Sequence, residues 1–296
     1  MRQVARRLVP VVLICSAAVT AYGQTARPGA ERSREVYVSV LDRRGAPITD
    51  MTPADFLVKE DGRVREVIDV RPADKPLQIA LLVDDSEAAT EATSHLREGL
   101  AAFLERMHGK AEISLITIGE RPTVVSQYTK DMEQLKQRTG RIFPRSGSGA
   151  YLLDGIMDAS RGLAKREADR PVILAISFEG IDYSNRHHQL VLDELAKSGA
   201  ALHVLAVGSP SSSLTDEMRN RNIVIADGTA RTGGRRDQVL AVSGLPEKMK
   251  QAADELINQV VLTYSRPDTL VPAEKLDVSS TRSNVTVRAR TRLLNR

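Results

Sequence analysis

Oxygen-bearing side chains follow directly after an apolar run in the first third of the chain. Residues 79–83 are all apolar, and Asp84, Asp85, Ser86 and Glu87 come next. A short continuous apolar run is typical of a strand buried on both faces of a parallel sheet. Open α/β folds bind their ligands at the carboxyl edge of such a sheet. Carboxylate and hydroxyl oxygens at that edge could hold a hard divalent cation or contact a polar partner.

A second acidic segment follows a later apolar run, 171–177, which predicts another buried strand. Because parallel strands end at the same edge of a sheet, we expect one acidic rim, formed by Asp84, Asp85, Ser86, Glu87, Glu179 and Asp182. Crowded carboxylates raise one another's pKa, and a rim without a bound cation favours a basic partner surface. Two simpler interpretations stay open. Asp85 or Ser86 is the N-cap of the next helix, and the two later acids are solvated loop residues.

The segments around these runs alternate between strand and helix patterns. This alternation predicts an α/β fold, a mostly parallel central sheet with helices on both faces. We predict strands at 78–84, 112–118, 122–127, 171–177 and 201–207, and helices at 88–107, 131–139, 150–167, 186–198 and 246–258. Arg121-Pro122 predicts a hairpin, so the strand that follows it should be antiparallel at the sheet edge. The runs 223–225 and 239–242 are both strand-like, and only one of them needs to be the sixth strand.

Both ends of the chain have strand patterns without a long helical period. Alternating apolar residues predict strands at 36–40, 56–60, 64–70, 260–264, 276–279 and 285–290, with a hairpin at Asp61-Gly62. Neither end has enough strands to bury a core by itself. We therefore predict a small β-sandwich-like module made of residues 35–75 and 260–293, with an α/β domain at 76–259 inserted between its two parts.

The first residues have the composition of a secretory signal peptide. Arg2, Arg6 and Arg7 precede a short apolar stretch, and Ala21 and Gly23 supply the small residues expected before a cleavage point. We predict a signal peptide at 1–23, a disordered lead-in at 24–34, and a periplasmic or secreted protein. An uncleaved leader is the alternative, and the membrane would then be contacted only through that leader.

Cleavage would change the charge balance and the cysteine count. Without the three leader arginines, Lys+Arg falls from 42 to 39 against 38 acidic residues, so the mature chain is nearly neutral. Aromatic residues make up only 3% and there is no tryptophan, which argues against nucleic acid as a partner. The single cysteine, Cys15, lies in the predicted leader, so the mature protein is expected to have neither disulfides nor thiol chemistry.

The strand that ends in Asp84-x-Ser86, within the predicted α/β order, resembles the start of a von Willebrand factor A (vWA) domain. The flanks are similar to those of the secreted VWFA-related family known chiefly from Acidobacteria, over residues 35–290. The residues that carry this likeness are Thr52-x-x-Asp55-Phe56-x-Val58-x-Glu60-Asp61-Gly62, Gly233-Gly234-Arg235-Arg236-Asp237, Leu245-Pro246-x-Lys248-Met249-Lys250, Tyr264-x-Arg266-Pro267 and Val287-Arg288-Ala289-Arg290. The resemblance implies a Rossmann-like vWA domain carried on the β module.

The resemblance also implies a metal-ion-dependent adhesion site at the sheet edge. In the family, an Asp-x-Ser-x-Ser start, a later threonine and an aspartate after strand four hold the cation. Asp84 and Ser86 match this pattern, Glu179 takes the place of the aspartate, and Ala88 and Ala150 replace the two other hydroxyl ligands. Mg²⁺ demands near-ideal octahedral geometry. The expected site is therefore degenerate, and the protein is expected to need no cofactor, with at most weak Ca²⁺ or Mg²⁺ binding.

The motifs of common enzyme classes are absent from the sequence. There is no Gly-x-Ser-x-Gly turn after a strand, no phosphate-binding loop with its lysine, and no His-Glu-x-x-His. The sequence therefore favours an exported, non-enzymatic module that binds an unknown protein partner. Two alternatives stay open: a structural or scaffold component of an envelope assembly, and a hydrolase with an unrecognised pair of acids.

Overall fold

The computed structural model describes residues 32–210, 215–266 and 272–293. The predicted signal peptide and residues 24–31 of the predicted lead-in lie outside this part of the chain. The lead-in prediction is wrong for residues 32–34, which begin a strand and pair with residues 264–266. Side-chain composition did not reveal this pairing, because backbone groups form the ladder. No helix in the described ranges is long and apolar enough to cross a membrane.

The described residues form strands and helices in the following order. The strands are β1 (Arg32–Leu41), β2 (Phe56–Glu60), β3 (Arg63–Arg65), β4 (Val67–Pro72), β5 (Leu77–Val83), β6 (Ala111–Thr117), β7 (Thr123–Thr129), β8 (Pro171–Phe178), β9 (Ala201–Val207), β10 (Arg236–Val239), β11 (Val260–Arg266), β12 (Leu276–Ser280) and β13 (Thr286–Ala289). The α-helices are α1 (Thr93–Met107), α2 (Met132–Thr139), α3 (Leu152–Lys165), α4 (His188–Ser198), α5 (Asp216–Ile223), α6 (Thr229–Thr232) and α7 (Leu245–Ile257).

The central sheet has six strands in the order β10-β9-β8-β5-β6-β7. Its neighbours are parallel except for β6 and β7, so the predicted antiparallel edge strand is confirmed. One buried apolar cluster fills the space between the sheet and α1, α2 and α7. A second cluster lies on the opposite face beneath α3 and α4. The predicted α/β architecture, with β5 inside the sheet and helices on both faces, is confirmed.

The sixth strand is β10, which pairs in parallel with β9. Only the first residue of the run 239–242 belongs to it. The run 223–225 is helical, because it ends α5 and continues into the π-helical turn Val224–Gly228. Val224 and Ile225 are buried in the cluster beneath α4. Branched apolar residues occur both in strands and in buried helical turns. Three of them in a row therefore do not distinguish the two structures.

The two ends of the chain form one β module of two antiparallel sheets, with strand orders β13-β1-β11-β4 and β12-β2-β3. β1 pairs with both β11 and β13, and β2 pairs with β12, so the predicted pairing between the ends is confirmed. Val38, Val58, Leu262 and Tyr264 belong to the apolar cluster that the sheets share. Each end thus supplies strands that the other needs to bury its apolar face.

The returning strand predicted at 64–70 is two strands in different sheets. Asp61 and Gly62 form the predicted hairpin turn, with φ of 46° and 81°. β3 then pairs with β2, whereas β4 pairs with β11 in the other sheet. Glu66 lies between β3 and β4, and its carbonyl accepts a 2.9 Å hydrogen bond from the Ser265 backbone N–H. The chain therefore crosses from one sheet to the other at this residue.

A buried charged cluster lies where the β module meets the α/β unit. The Glu255 Oε2 atom on α7 accepts hydrogen bonds from Arg288 Nη1 on β13 at 2.7 Å and from Arg235 Nη1 at 3.2 Å. His203 on β9 is fully buried close to this carboxylate, and its ring nitrogens have no hydrogen-bond partner in the described part of the chain. Burial lowers the pKa of His203 to about 4, so its ring is neutral at pH 7. The cluster joins elements of both units.

Candidate functional site

Asp84 fastens the loop after β5 to the end of β8. Its side chain is fully buried, and its Oδ1 accepts a 2.9 Å hydrogen bond from the Ser86 backbone N–H. Its Oδ2 accepts a 2.9 Å hydrogen bond from the Phe178 backbone N–H. Burial raises the pKa of this carboxyl. Asp84 therefore connects two loops inside the protein and is not a surface acid of the predicted rim.

Asp85 connects two further loops at the same edge. It is 3% exposed, and its Oδ1 accepts a 2.7 Å hydrogen bond from the Gly119 backbone N–H after β6. A side chain at Gly119 would place a Cβ 2.6 Å from that oxygen, so this contact requires glycine. Its Oδ2 accepts a 2.9 Å hydrogen bond from Arg145 Nε, and Arg145 also pairs with Glu120 at 3.0 Å. The Asp85 charge is therefore compensated by an arginine.

Ser86 and Glu87 begin a short 3₁₀ turn, Glu87–Ala92, that precedes α1. Ser86 is 2% exposed and occupies the N-cap position of that turn, but its side chain makes no capping hydrogen bond. The oxygens of Asp85 bind elsewhere, so the capping interpretation is wrong for Asp85, whereas Ser86 takes the N-cap position without a capping bond from its side chain. Glu87 is exposed, and its Oε2 accepts a 3.2 Å hydrogen bond from the Gly147 backbone N–H. Within the predicted rim, only Glu87 presents its side chain fully to solvent.

Glu179 and Asp182 pair with an arginine that the sequence analysis missed. Arg221 on α5 is 2% exposed, and its Nη1 lies 3.4 Å from Glu179 Oε2. Its Nη2 donates to Ser177 Oγ at 3.3 Å, and its Nε lies 3.8 Å from Asp182 Oδ2. The Glu179 and Asp182 side chains are 9% and 2% exposed, so the interpretation as solvated loop acids is wrong. Burial raises the pKa of the Asp182 carboxyl.

The structure brings the predicted residues together and places two arginines among their carboxylates. Arg145 and Arg221 enter between the carboxylates from loop 143–150 and from α5. Sequence offered no sign of either, since both are single arginines distant along the chain from the acids they contact. Arg186, the arginine nearest to Asp182 in sequence, pairs instead with Asp154 at 2.6 Å. The arginines compensate part of the expected negative charge, and the preference for a basic partner stays a prediction.

The oxygen donors that remain fit a divalent cation poorly. Both oxygens of Asp84 accept backbone hydrogen bonds, and Glu179 pairs with Arg221. Ala150 presents a buried methyl group, and its backbone bonds to the 181–183 segment. Mg²⁺ needs near-octahedral oxygen coordination, and Ca²⁺ needs six to eight oxygens. Within residues 32–210, 215–266 and 272–293, no group of three or more His, Cys, Asp and Glu side chains is placed to hold a metal ion.

Several large apolar and aromatic side chains are exposed at this edge. Ile181 and Tyr183 follow β8 and are 64% and 49% exposed, and Leu240 directly after β10 is 69% exposed. Phe143, in the loop before α3, is 63% exposed, with the Arg97 guanidinium 4.4 Å from its ring centroid. The backbone of residues 181–183 pairs with Ala150, which holds the two loops side by side. The two paired loops therefore present these exposed side chains on one surface that a partner could contact.

No protein-family model and no curated protein matches the sequence, whereas solved structures do match. The von Willebrand factor type A protein from Catenulispora acidiphila superposes with a TM-score of 0.52 at 9% identity. That match covers 90% of this chain and 78% of the other, so it extends beyond the α/β unit. The chain has the von Willebrand factor A fold. The narrower VWFA-related family stays a prediction.

Two further vWA structures are similar over a smaller part of the chain. Proximal thread matrix protein 1 from the mussel byssus, with a zinc-occupied MIDAS motif, gives a TM-score of 0.49 at 15% identity and covers 65% of this chain. The present chain spans about half of that protein, 47% of its length. The vWF domain of the type V pili tip protein Mfa5 from Porphyromonas gingivalis gives 0.46 at 13% identity, over 61% of this chain and 95% of that one. The fold assignment does not rest on these two matches.

Proposed function

We propose that this chain is an exported, non-enzymatic module that binds a protein partner through the loops at the carboxyl edge of its vWA sheet. One observation carries the proposal. The buried carboxylates of this edge are engaged by backbone N–H groups and arginines, while Ile181, Tyr183 and Leu240 expose apolar or aromatic side chains there. Reactive chemistry needs free acids or bases, whereas a protein interface needs exposed apolar and aromatic anchors.

The proposed binding does not depend on a metal. Asp84, Ser86 and Glu179 are what remains of the family's ligand set, and Ala88 and Ala150 lack the hydroxyls that would complete it. Arg221 supplies positive charge beside Glu179 and Asp182 from within the chain. We therefore expect at most weak Ca²⁺ or Mg²⁺ binding, and a partner interface that a chelator leaves intact.

The contact residues differ from those that the sequence predicted. Asp84, Asp85, Ser86 and Asp182 are buried and hold the loops in place, so their role is positional. Ile181 and Tyr183 are the exposed side chains at the centre of the loop after β8. Tyrosine is enriched among the residues that contribute most to binding at protein interfaces. The proposed partner therefore offers an apolar pocket or face.

Capture of partners with matched variants tests this proposal. The immobilised mature protein is incubated with periplasmic and secreted fractions, with and without EDTA. Ile181→Ser combined with Tyr183→Ser should remove the captured partner, because both anchors are lost. Val64→Ser with Ile68→Ser is the matched control on the β module, where these residues are 63% and 52% exposed. Equal capture by the wild type and the edge variant would contradict the proposal.

The same experiment separates the second candidate, a structural component of an envelope assembly. The exposed apolar residues of the control variant, Val64 and Ile68, are the observation that favours it, because they lie on the β module away from the vWA loops. A scaffold that uses the β module should lose its neighbours in the control variant and keep them in the edge variant. A hydrolase would show turnover on a broad substrate panel, which we do not expect.

Export rests on the predicted leader at 1–23. Mass spectrometry of the protein from the source cells should find a mature amino terminus at or near Gln24. An intact Met1 in a membrane fraction would favour the uncleaved leader.

A further inference from the structure

An open groove of about 630 Å³ lies beside the vWA edge, between β7, α2 and the loop that precedes α3. We name it the arginine groove. Its lining consists of Asp85, Thr117, Thr123, Val125, Gln134, Gln137, Arg138, Arg141, Ile142, Phe143, Pro144 and Arg145. The Arg97 Nη2 atom donates a 2.7 Å hydrogen bond to the Ile142 carbonyl, which anchors the loop that forms one wall.

The lining of the groove carries an excess of positive charge. Arg138, Arg141 and Arg145 line it, and Asp85 is the one acid among the lining residues. Asp85 is buried and already paired with Arg145 at 2.9 Å. Arg138 and Arg141 are exposed, and Nη1 of Arg138 donates a 2.7 Å hydrogen bond to the Val125 carbonyl. That bond fixes the position of one guanidinium and occupies only one of its five donors.

One buried hydroxyl in the groove lacks a hydrogen-bond partner in the part of the chain that the structure describes. Thr117, the last residue of β6, is 2% exposed and lines the groove. Its Oγ1 is buried and has no hydrogen-bond partner among the described residues. Buried polar atoms are paired in the large majority of cases, and an orphan needs an explanation. A polar group of a ligand that occupies the groove would supply the missing bond.

The polar side chains of the groove form a row that begins with two glutamines and ends with the neighbouring arginines, Arg138 and Arg141. Gln134, Gln137, Arg138 and Arg141 follow at spacings of three, four and seven, which places them on one side of α2 and its continuation. Seven residues of helix extend about 10 Å. A single small anion would reach only part of this row. An extended segment would contact all of it, with the glutamine amides available to donate to and accept from a peptide backbone.

We propose that the arginine groove binds an acidic peptide segment of the partner protein. This inference rests on the proposed function, because it assigns the chemistry of the partner. Carboxylates of the segment pair with Arg138 and Arg141, since the guanidinium fork matches a carboxylate with two parallel hydrogen bonds. Thr117 Oγ1 pairs with a polar group of the same segment at the base of the groove. The apolar side chains Ile181 and Tyr183 then anchor the rest of the interface.

Fluorescence polarisation tests the inference with the whole chain and a defined probe. The probe is a fluorescein-labelled peptide with Asp and Glu at alternate positions. Its control has Asn and Gln at those positions, and competitors are inorganic phosphate and a single-stranded oligonucleotide. We expect binding of the acidic peptide only. Binding that phosphate displaces as well as unlabelled peptide does, or tighter binding of the oligonucleotide, would overturn the assignment to a peptide.

Charge-matched variants separate the groove from general electrostatic attraction. Arg138→Gln with Arg141→Gln should weaken peptide binding by roughly tenfold or more, because both exposed carboxylate partners are lost. Lys130→Gln with Lys136→Gln removes the same charge from exposed positions outside the lining, and should weaken binding by less than about twofold. Equal weakening by the two double changes would overturn the proposal.

The hydroxyl of Thr117 gives an independent readout. Thr117→Val keeps the shape and removes only Oγ1, so we expect peptide binding about fivefold weaker. The melting temperature should stay equal or rise, because no internal hydrogen bond is lost. Unchanged peptide binding by Thr117→Val would contradict the proposed hydrogen bond between Thr117 Oγ1 and the peptide.

The partner-capture experiment distinguishes failure of this inference from failure of the proposed function. If capture survives the change at Arg138 and Arg141 and is lost in the Ile181/Tyr183 variant, the proposed function stands and the groove inference is wrong. If the acidic peptide binds as expected while no protein is captured by any variant, the groove stands and the proposed interface is wrong.

Discussion

Two regions of the molecule bury ionised side chains, and they do so in opposite ways. At the junction between the β module and the vWA unit, one fully buried carboxylate, Glu255, receives two arginines, Arg235 and Arg288, and Arg235 also pairs with Asp237. At the carboxyl edge of the sheet, one arginine, Arg221, lies between two acids, Glu179 and Asp182. The junction cluster joins α7, the segment before β10 and β13, whereas the edge cluster joins α5 to a single loop.

The two clusters of buried charges have different roles because they lie in different surroundings. The Glu255 side chain has no solvent exposure. Water could therefore replace its ion pairs only if the two units separated. The edge cluster lies beneath exposed side chains of the same loop, and its loss would change the shape of a surface. We therefore expect changes at the junction to act on stability, and changes at the edge to act mainly on binding.

Glu255→Gln should have the largest effect on stability. The change removes the buried carboxylate that Arg235 and Arg288 share, and breaking a buried charge network by removing one partner costs about 4 kcal/mol of unfolding free energy. Urea denaturation measures the loss. Glu247→Gln on the exposed side of the same helix is the control, with an expected change below about 0.5 kcal/mol. Similar losses in both variants would show that the junction is not special.

His203 should make the junction sensitive to acid. Burial lowers its pKa from an unfolded value of 6.5 to about 4, so the folded state prefers the neutral ring. Its contribution to stability is complete above pH 6.5 and is lost as the pH falls toward 4, by about 3 kcal/mol over the whole range. Asp84 and Asp182 have raised pKa values and act in the opposite direction over the acidic range.

The contribution of His203 is therefore measured as a difference. The unfolding free energy of the wild type and of His203→Leu is followed from pH 7.5 to 4. The wild type should lose more stability than the variant, and the gap should open mainly below pH 6.5. Parallel curves for the two proteins would refute the assignment.

Arg221→Met should have a smaller, pH-dependent effect at the edge. The change leaves Glu179 and Asp182 without their buried cation, and we expect a loss of about 2 kcal/mol at pH 7. The deficit should shrink as the pH falls, because protonation relieves the two uncompensated acids. Arg219→Met, an exposed position on the same helix, should change little. A deficit that stays constant between pH 7 and 5 would argue against this role for Arg221.

Sequence patterns predicted the parts of the fold that repeat along the chain. β5 and β8 are mostly apolar, and Asp61-Gly62 is a residue pair favoured in hairpin turns. The run 223–225 was not identified as helical, because three buried apolar residues have no periodicity that separates a helix from a strand. The division of residues 64–70 into β3 and β4 was not predicted, because the sheet that each strand joins depends on partner strands far away in sequence.

The candidate site was predictable in place but not in chemistry. The ends of β5 and β8 located Asp84 and Glu179 at one edge, since parallel strands must end together. The arginines that pair with the acids lie on another helix and another loop, and no local pattern connects Arg221 to Asp182 or Arg145 to Asp85. These long-range ion pairs compensate part of the negative charge that the sequence led us to expect.

A gain-of-function change sharpens the comparison with a metal-binding edge. Ala88→Ser with Ala150→Thr returns the two missing hydroxyls and should produce a small rise in melting temperature with millimolar Mg²⁺. Adding Arg221→Met should increase that response, because Glu179 would then be released from its internal cation. If the triple variant does not respond to Mg²⁺, residues other than these three also prevent this edge from binding a metal.

Calorimetric titration of the unmodified protein with Mg²⁺ tests the central claim most directly. The claim is that internal arginines and backbone N–H groups hold this edge in shape where a cation would otherwise do so. We predict no heat of binding and no gain in melting temperature with millimolar Mg²⁺, and at most a slight gain with Ca²⁺. Micromolar Mg²⁺ binding would contradict the account and make the edge a metal-dependent site.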